Sequence, residues 1–251
     1  MLKKHLIIKT FKHANWMFIK TNTHKMKINE IEMVVFDMAG TTINEQNIVY
    51  KSLHKSINKF GIDVSLELVL SLGAGKEKHQ AIKDILKHIN ITDANKSEEI
   101  FEYFKETLDQ EYLTAKVLPI EGVENVLQNL KKDGIKVVLN TGYSSHVANT
   151  LLEKLNWKKD HQFDALITAD DVELGRPFPD MIHKAMQLFA IKDASKVLKA
   201  GDSAIDIEEG KNAKCGITIG VLSGAQTRSQ LEEAKPDYIL DSLASLYSIM
   251  N

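Results

Sequence analysis

The stretch Val34-Val35-Phe36-Asp37-Met38-Ala39-Gly40-Thr41-Thr42 joins a short apolar run to a single carboxylate and then to a turn carrying two hydroxyls. Met33 to Phe36 is apolar and rich in β-branched residues but too short for a helix, the pattern of a strand covered on both faces in a parallel sheet. Asp37 then falls at the carboxyl end of that strand, where open α/β sheets bind their ligands. Taken alone, Asp-x-x-Gly-Thr is also the sequence of an aspartate that starts a turn and caps a helix. The rest of the chain decides between these readings.

Downstream of Thr42 the pattern turns helical and stays so to about Lys116. Ile48, Ser52, Leu53, Ile57 and Phe60 form one face with Gly61 as a stop, and further helices are predicted near Leu66 to Leu72, Lys76 to His88 and Ser97 to Leu113. From Pro119 helix and strand alternate. Helices are expected over Glu121–Lys131, Ser144–Leu155, Pro179–Phe189 and Ile205–Ala213. Strands are expected over Ile135–Leu139, Ala165–Thr168, Val197–Ala200, Ile217–Val221 and Tyr238–Leu240, with a final helix from Leu243. The predicted fold class is therefore α/β, a Rossmann-like parallel sheet with helices on both faces and an inserted all-helical cap. The core is expected over 30–43 and 117–251, with the cap over 44–116 gating a small-molecule site.

Upstream, residues 1–29 carry seven lysines and no acidic residue before Glu30. Their apolar pieces are too short and too interrupted for a signal peptide, so this segment is read as a basic extension. The whole chain has 251 residues, 43% of them hydrophobic, and a net charge of -2 that gives no reason to expect a nucleic-acid partner. Cys215 is the single cysteine, which excludes an intrachain disulfide and suits a reducing cytoplasm. No apolar run approaches the length that spans a bilayer, so no integral membrane association is expected.

Three further strand ends carry chemistry. Thr141-Gly142-Tyr143 follows the strand ending at Leu139, and its hydroxyl and amides could hold a phosphate oxygen, although Thr-Gly after a strand is also an ordinary turn. Arg176 sits on the Pro-stiffened loop Gly175-Arg176-Pro177, where its guanidinium could grip two anionic oxygens or simply face water. In Gly201-Asp202-Ser203-Ala204-Ile205-Asp206 two carboxylates four residues apart face the same way across a helix start. They would repel without a cation, and Mg²⁺, which takes hard oxygen ligands and bridges carboxylates to phosphate, accounts for the pair.

In order and type, Asp37–Thr42, Thr141–Tyr143, Gly175–Pro177 and Gly201–Asp206 resemble the four signature motifs of the haloacid dehalogenase-like hydrolases. The resemblance implies that Asp37 is a nucleophile forming an aspartyl-phosphate, steadied by Thr141 and Arg176, with Mg²⁺ held by Asp37, Asp202, Asp206 and the Ala39 carbonyl. It also places Thr41, Gly142, Tyr143 and His79 at the substrate. Most phosphatases of this superfamily carry a second aspartate two residues after the nucleophile, a general acid whose loss typically costs about 10²–10⁴-fold. Here that position is Ala39.

The phosphonatase branch also has alanine there and resembles this chain in Asp-x-Ala-Gly-Thr-Thr, Thr-Gly-Tyr and Gly-Arg-Pro. In that branch a cap lysine forms a Schiff base with phosphonoacetaldehyde. Leu72-Gly73-Ala74-Gly75-Lys76-Glu77-Lys78-His79 fits its lysine pattern, making Lys76 the expected amine, with the cations Lys78 and His79 lowering its pKa and Glu77 opposing them. A solvated lysine on a charged helix is the plainer reading. Met38, where that branch has tryptophan, and Gly220 to Ala225 depart from its pattern. The expected activity is hydrolysis of phosphonoacetaldehyde or a related small phosphonate. The alternatives are a phosphoglycolate phosphatase-like phosphomonoesterase and a non-catalytic binding protein on the same fold, and a homodimer through the cap is implied by resemblance alone.

Overall fold

The computed structural model describes residues 30–249, and the basic extension at 1–29 lies outside them. Six parallel strands form the sheet in the order β5-β4-β1-β6-β7-β8. These are β1 (Met33–Asp37), β4 (Lys136–Asn140), β5 (Ala165–Ile167), β6 (Val197–Gly201), β7 (Ile217–Val221) and β8 (Tyr238–Leu240). The first strand is central because the chain builds outward on one side through β4 and β5, then crosses to the other side for β6, β7 and β8. The crevice over β1 is thus a topological switch point, where ligands of such sheets bind.

Alternate residues of β1 enter two cores, Val34 and Phe36 on one face and Met33 and Val35 on the other. Both faces are buried, so the strand has no polar alternation to reveal. Helix α5 (Val123–Lys132) covers the first face through Val126, Leu127 and Leu130, and α7 (Asp180–Leu188) covers the second through Met181, Ile182 and Ala185. The remaining helices of the sheet domain are α6 (Ser145–Lys154), α8 (Ala204–Asn212) and the short α9 (Arg228–Glu233).

The inserted helices are α1 (Ile48–Lys59), α2 (Leu66–Gly73), α3 (Lys78–His88) and α4 (Ala94–Thr114). They hang from a ribbon that sequence reading did not foresee. In it β2 (Ile43–Asn44) pairs antiparallel with β3 (Leu118–Pro119), so the chain enters and leaves the insert side by side. Two-residue strands leave no periodic signal to read. The expected final helix from Leu243 is instead a 3₁₀ segment, Leu243–Ser248, and α9 went unforeseen. Among the described residues no helix is long and apolar enough to cross a membrane.

One boundary shift matters for the chemistry. Helix α3 starts at Lys78 rather than at Lys76, because Glu77 caps it, its carboxylate accepting the backbone N–H groups of His79 and Gln80. Lys76 therefore lies in the loop before the helix, and Lys78 is the first helical residue.

Candidate active site

Strand register brings the motifs together. Asp37 lies opposite Asn140 on β4, and β6 on the other side of β1 ends at Gly201, one residue before Asp202. The turn after β1 is tied down from within, since the Thr42 hydroxyl donates to the carbonyls of Asp37 at 3.0 Å and Met38 at 3.2 Å. At Gly40, with φ +79°, a side chain would collide with the Asp202 carboxylate and the Gly224 backbone. Glycine there lets the two loops close on each other.

Asp37, Asp202 and Asp206 are all buried, and one carboxylate oxygen of each lies within 4.8 Å of the others. Beneath them runs a buried ionic network. Arg176 meets Asp37 at 2.7 Å, Asp206 at 2.9 Å and Glu209 at 3.0 Å, while Lys199 meets Asp206 and Glu209, each at 3.0 Å. Asn140 completes it, its side-chain oxygen accepting from Arg176 and Lys199 and its amide donating to Glu209. Burial raises the Asp37 carboxyl to about 6 against the pull of Arg176, and burial with the Asp37 charge raises Asp202 well above its usual value. Asp206, despite equal burial, is held low by Arg176 and Lys199.

Asp37, Asp206 and Glu209 against Arg176 and Lys199 leave one negative charge uncompensated, and Asp202, outside these ion pairs, adds a second. The excess falls at Asp37 and Asp202, the two groups whose protons are held most tightly. A hard divalent cation fits both the charge and the all-oxygen donor set. The observations for that fit are the crowding and the charge.

A small cavity lies over Asp37, lined by Ala39, Tyr50, Gly75, Lys78, Thr141, Gly142, Tyr143 and Arg176. Its free space of about 10 Å³ is room for roughly one water. The Thr41 and Tyr143 hydroxyls are buried without hydrogen-bond partners. The insert is seated directly on the core here: Arg176 reaches the Gly75 carbonyl at 3.4 Å, and a side chain at Gly142 would strike the Gly75 and Lys76 backbone.

The arrangement of fold, sheet order and motif positions agrees with a match, over residues 34–220, to the model of a family described as haloacid dehalogenase-like hydrolase. The chain belongs to the haloacid dehalogenase-like hydrolases. Relatives of two kinds are among those it resembles. It is 33% identical over 227 residues to the pyrophosphatase PpaX of Bacillus mycoides, covering 90% of this chain and 98% of the relative. It is 30% identical over 217 residues to a phosphonoacetaldehyde hydrolase of Bacillus cereus, covering 81% and 80%. Among solved structures, a phosphonoacetaldehyde hydrolase-like protein from Oleispira antarctica has the same fold, with a TM-score of 0.77 at 21% identity, covering 98% of this chain and 95% of that one.

Of the residues singled out from this hydrolase's sequence, Asp37, Ala39, Thr141, Gly142, Tyr143 and Arg176 line one cavity, with Asp202 and Asp206 grouped around Asp37. Two lie apart. Lys76 does not line that cavity: its amine pairs with Asp84 at 2.5 Å, its side chain 28% exposed at the cavity between α3 and the Arg176 loop. The shifted start of α3 is the reason. His79 stacks on Phe101 at 4.7 Å between ring centroids and reaches Ser97 and Glu98 inside the insert.

Sequence reading missed Lys78, Tyr50, Asn140, Lys199 and Glu209. Lys199 alone gave a usable sign, since a lysine in the middle of a fully buried strand needs carboxylates close by. The sequence reading gives Lys78 only the part of a cation that lowers the pKa of Lys76. Lys78 is instead 5% exposed, its amine 5.2 Å from the Tyr50 ring centre and 5.1 Å from that of Tyr143, and it donates to the Lys76 carbonyl. Burial lowers its pKa to about 8.

Proposed function

We propose that this hydrolase acts on a small phosphorylated compound, with Asp37 as nucleophile and Mg²⁺ as cofactor. The observation that carries the reading is the buried cluster of Asp37, Asp202 and Asp206, its charge only partly offset by Arg176 and Lys199, beneath a cavity roofed by the helical insert. Asp37, Asp202, Asp206 and the Ala39 carbonyl would hold the ion. Bound there, it supplies positive charge against the phosphoryl oxygens.

The protein's own groups do the rest. Asp37, aimed by Arg176, attacks phosphorus, and the leaving group departs toward the insert. Arg176 and Thr141 stabilise charge on the transferring group, which water then removes from Asp37. The seated insert leaves little room for water beside Asp37, which favours attack by the carboxylate over direct attack by water.

The bond broken is read as O–P, in a phosphate ester or anhydride. Cleavage of C–P through a Schiff base on Lys76 would require that amine to leave Asp84 and enter the cavity. The C–P reading keeps support in Ala39 with the motifs around it and in the relative named phosphonoacetaldehyde hydrolase. A side-by-side assay decides between the two. With Mg²⁺, the wild type should hydrolyse phosphate esters, and Asp37→Asn should abolish this. Faster turnover of phosphonoacetaldehyde, with a borohydride-trapped adduct on a lysine, would replace the O–P reading. Equal inertness of wild type and Asp37→Asn on both classes would remove the enzymatic reading and leave a binding protein.

A further inference from the structure

The reaction read above leaves one task unassigned. When the O–P bond breaks, its electron pair goes to the leaving oxygen, which needs a proton, and the methyl group of Ala39 cannot supply one. The donor must line the cavity over Asp37. Arg176 is held protonated by Asp206, Asp37 and Glu209 despite its burial. The Tyr50 and Tyr143 phenols are pushed well above their usual range by burial, so their donation would create a strongly disfavoured phenolate. The Thr141 hydroxyl is an aliphatic alcohol, far too weak an acid to donate, so among the described residues lining that cavity Lys78 is left.

Its position fits the task. Lys78 also lines a second, largely apolar cavity of about 190 Å³, walled by Val49, Phe101, Phe104, Leu108 and Val147. Lys78, Gly142 and Tyr143 belong to both walls. The first cavity holds the phosphoryl acceptor, the second has room for an organic group, and the amine stands at the border between them. The two tyrosine faces favour its charged form. The charge of Asp37 also reaches it.

We infer that Lys78 is the general acid of this hydrolase, doing from the helical insert what an aspartate two residues after the nucleophile does elsewhere in the family. This inference rests on the phosphoryl-transfer reading of Asp37. The Lys78 ammonium gives a proton to the leaving oxygen as O–P breaks, becoming a neutral amine. It regains a proton from the water that attacks the aspartyl-phosphate, so the cycle closes with no further reactant. A pKa of about 8 suits a donor that must be charged near neutrality yet able to release its proton.

A merely structural lysine would not make its effect depend on the leaving group. The test compares wild type, Lys78→Met and Lys78→Arg on aryl phosphates graded from para-nitrophenyl to para-methoxyphenyl phosphate, with Mg²⁺ present. The expected result is a loss of about 10²–10³-fold for the poorest leaving group and under about tenfold for para-nitrophenyl phosphate. Arginine, which keeps the charge but cannot release a proton, should behave like methionine. Retained turnover of para-nitrophenyl phosphate shows that the variants fold. Equal losses across the series, complete loss on every ester, or recovery by arginine overturns Lys78 as the acid while the Asp37 reading stands. If the wild type shows no turnover dependent on Asp37, both fall together.

Discussion

Arg176 is the residue on which the site's geometry turns. Its guanidinium meets three buried carboxylates and the Asn140 carbonyl, so removing it leaves charge stranded rather than merely losing a contact. Arg176→Met should therefore destabilise the fold by about 3–5 kcal/mol, measured by urea unfolding. Glu45 makes a subtler case. It is 2% exposed, accepts the Val49 N–H at 3.2 Å, and burial raises its pKa from 4.5 to about 7. Lys78 and Lys51 only partly offset that, and the Tyr50, Tyr112 and Tyr143 phenols lie within its field. Between pH 4.5 and 7 the native carboxyl binds a proton that the unfolded one has lost, so wild-type stability falls as pH rises through that window. Glu45→Gln escapes this cost. Its stability advantage should grow from near zero below the window to the order of 3 kcal/mol at pH 8, and a gap independent of pH would refute the account.

At the scale of elements, the loop between α2 and α3 governs how the insert seats. Gly75, at φ +72°, packs against Ser203 and Ile205, and its N–H donates to the Tyr50 hydroxyl at 3.1 Å. Gly142 on the core side has an ordinary φ, so alanine there strains no local backbone, yet its Cβ would lie 2.6 Å from the Gly75 carbonyl oxygen. Gly142→Ala should fold with little loss of stability but hold the insert slightly lifted. A fall in kcat/KM of roughly 10–10² is expected, with faster proteolytic cleavage within the insert. Unchanged kinetics would mean that this contact does not position the chemistry.

For the whole molecule, the space of about 10 Å³ over Asp37 is smaller than a phosphoryl group, so substrate entry is expected to need the insert to lift from the sheet. The charge imbalance also predicts a thermal response. With Mg²⁺ at about 100-fold above its Kd, the unfolding midpoint should rise by roughly 5–10 °C. Asp202→Asn, which removes a carboxylate outside the ion-pair network, should lose most of that rise. An equal rise in both proteins would place the ion elsewhere.

What the sequence determined by itself was whatever depends on local pattern. Alternating apolar runs and helical faces specified the parallel sheet and the helical insert, and the strand-end position of Asp37, Thr141 and Asp202 followed from where each run stops. Because carboxyl ends of neighbouring parallel strands lie side by side, the order β5-β4-β1-β6, which only the tertiary structure shows, gathers those motifs. The seating of the insert was not legible. The two-residue difference between Lys76 in the loop and Lys78 in the helix depends on Glu77 capping α3, and whether either amine meets the cavity depends on contacts with Tyr50 and Tyr143, distant in the chain. Glu209, Lys199 and Asn140 were hidden for the same reason, since a buried ionic network is defined by three-dimensional proximity and leaves no periodic trace along the chain.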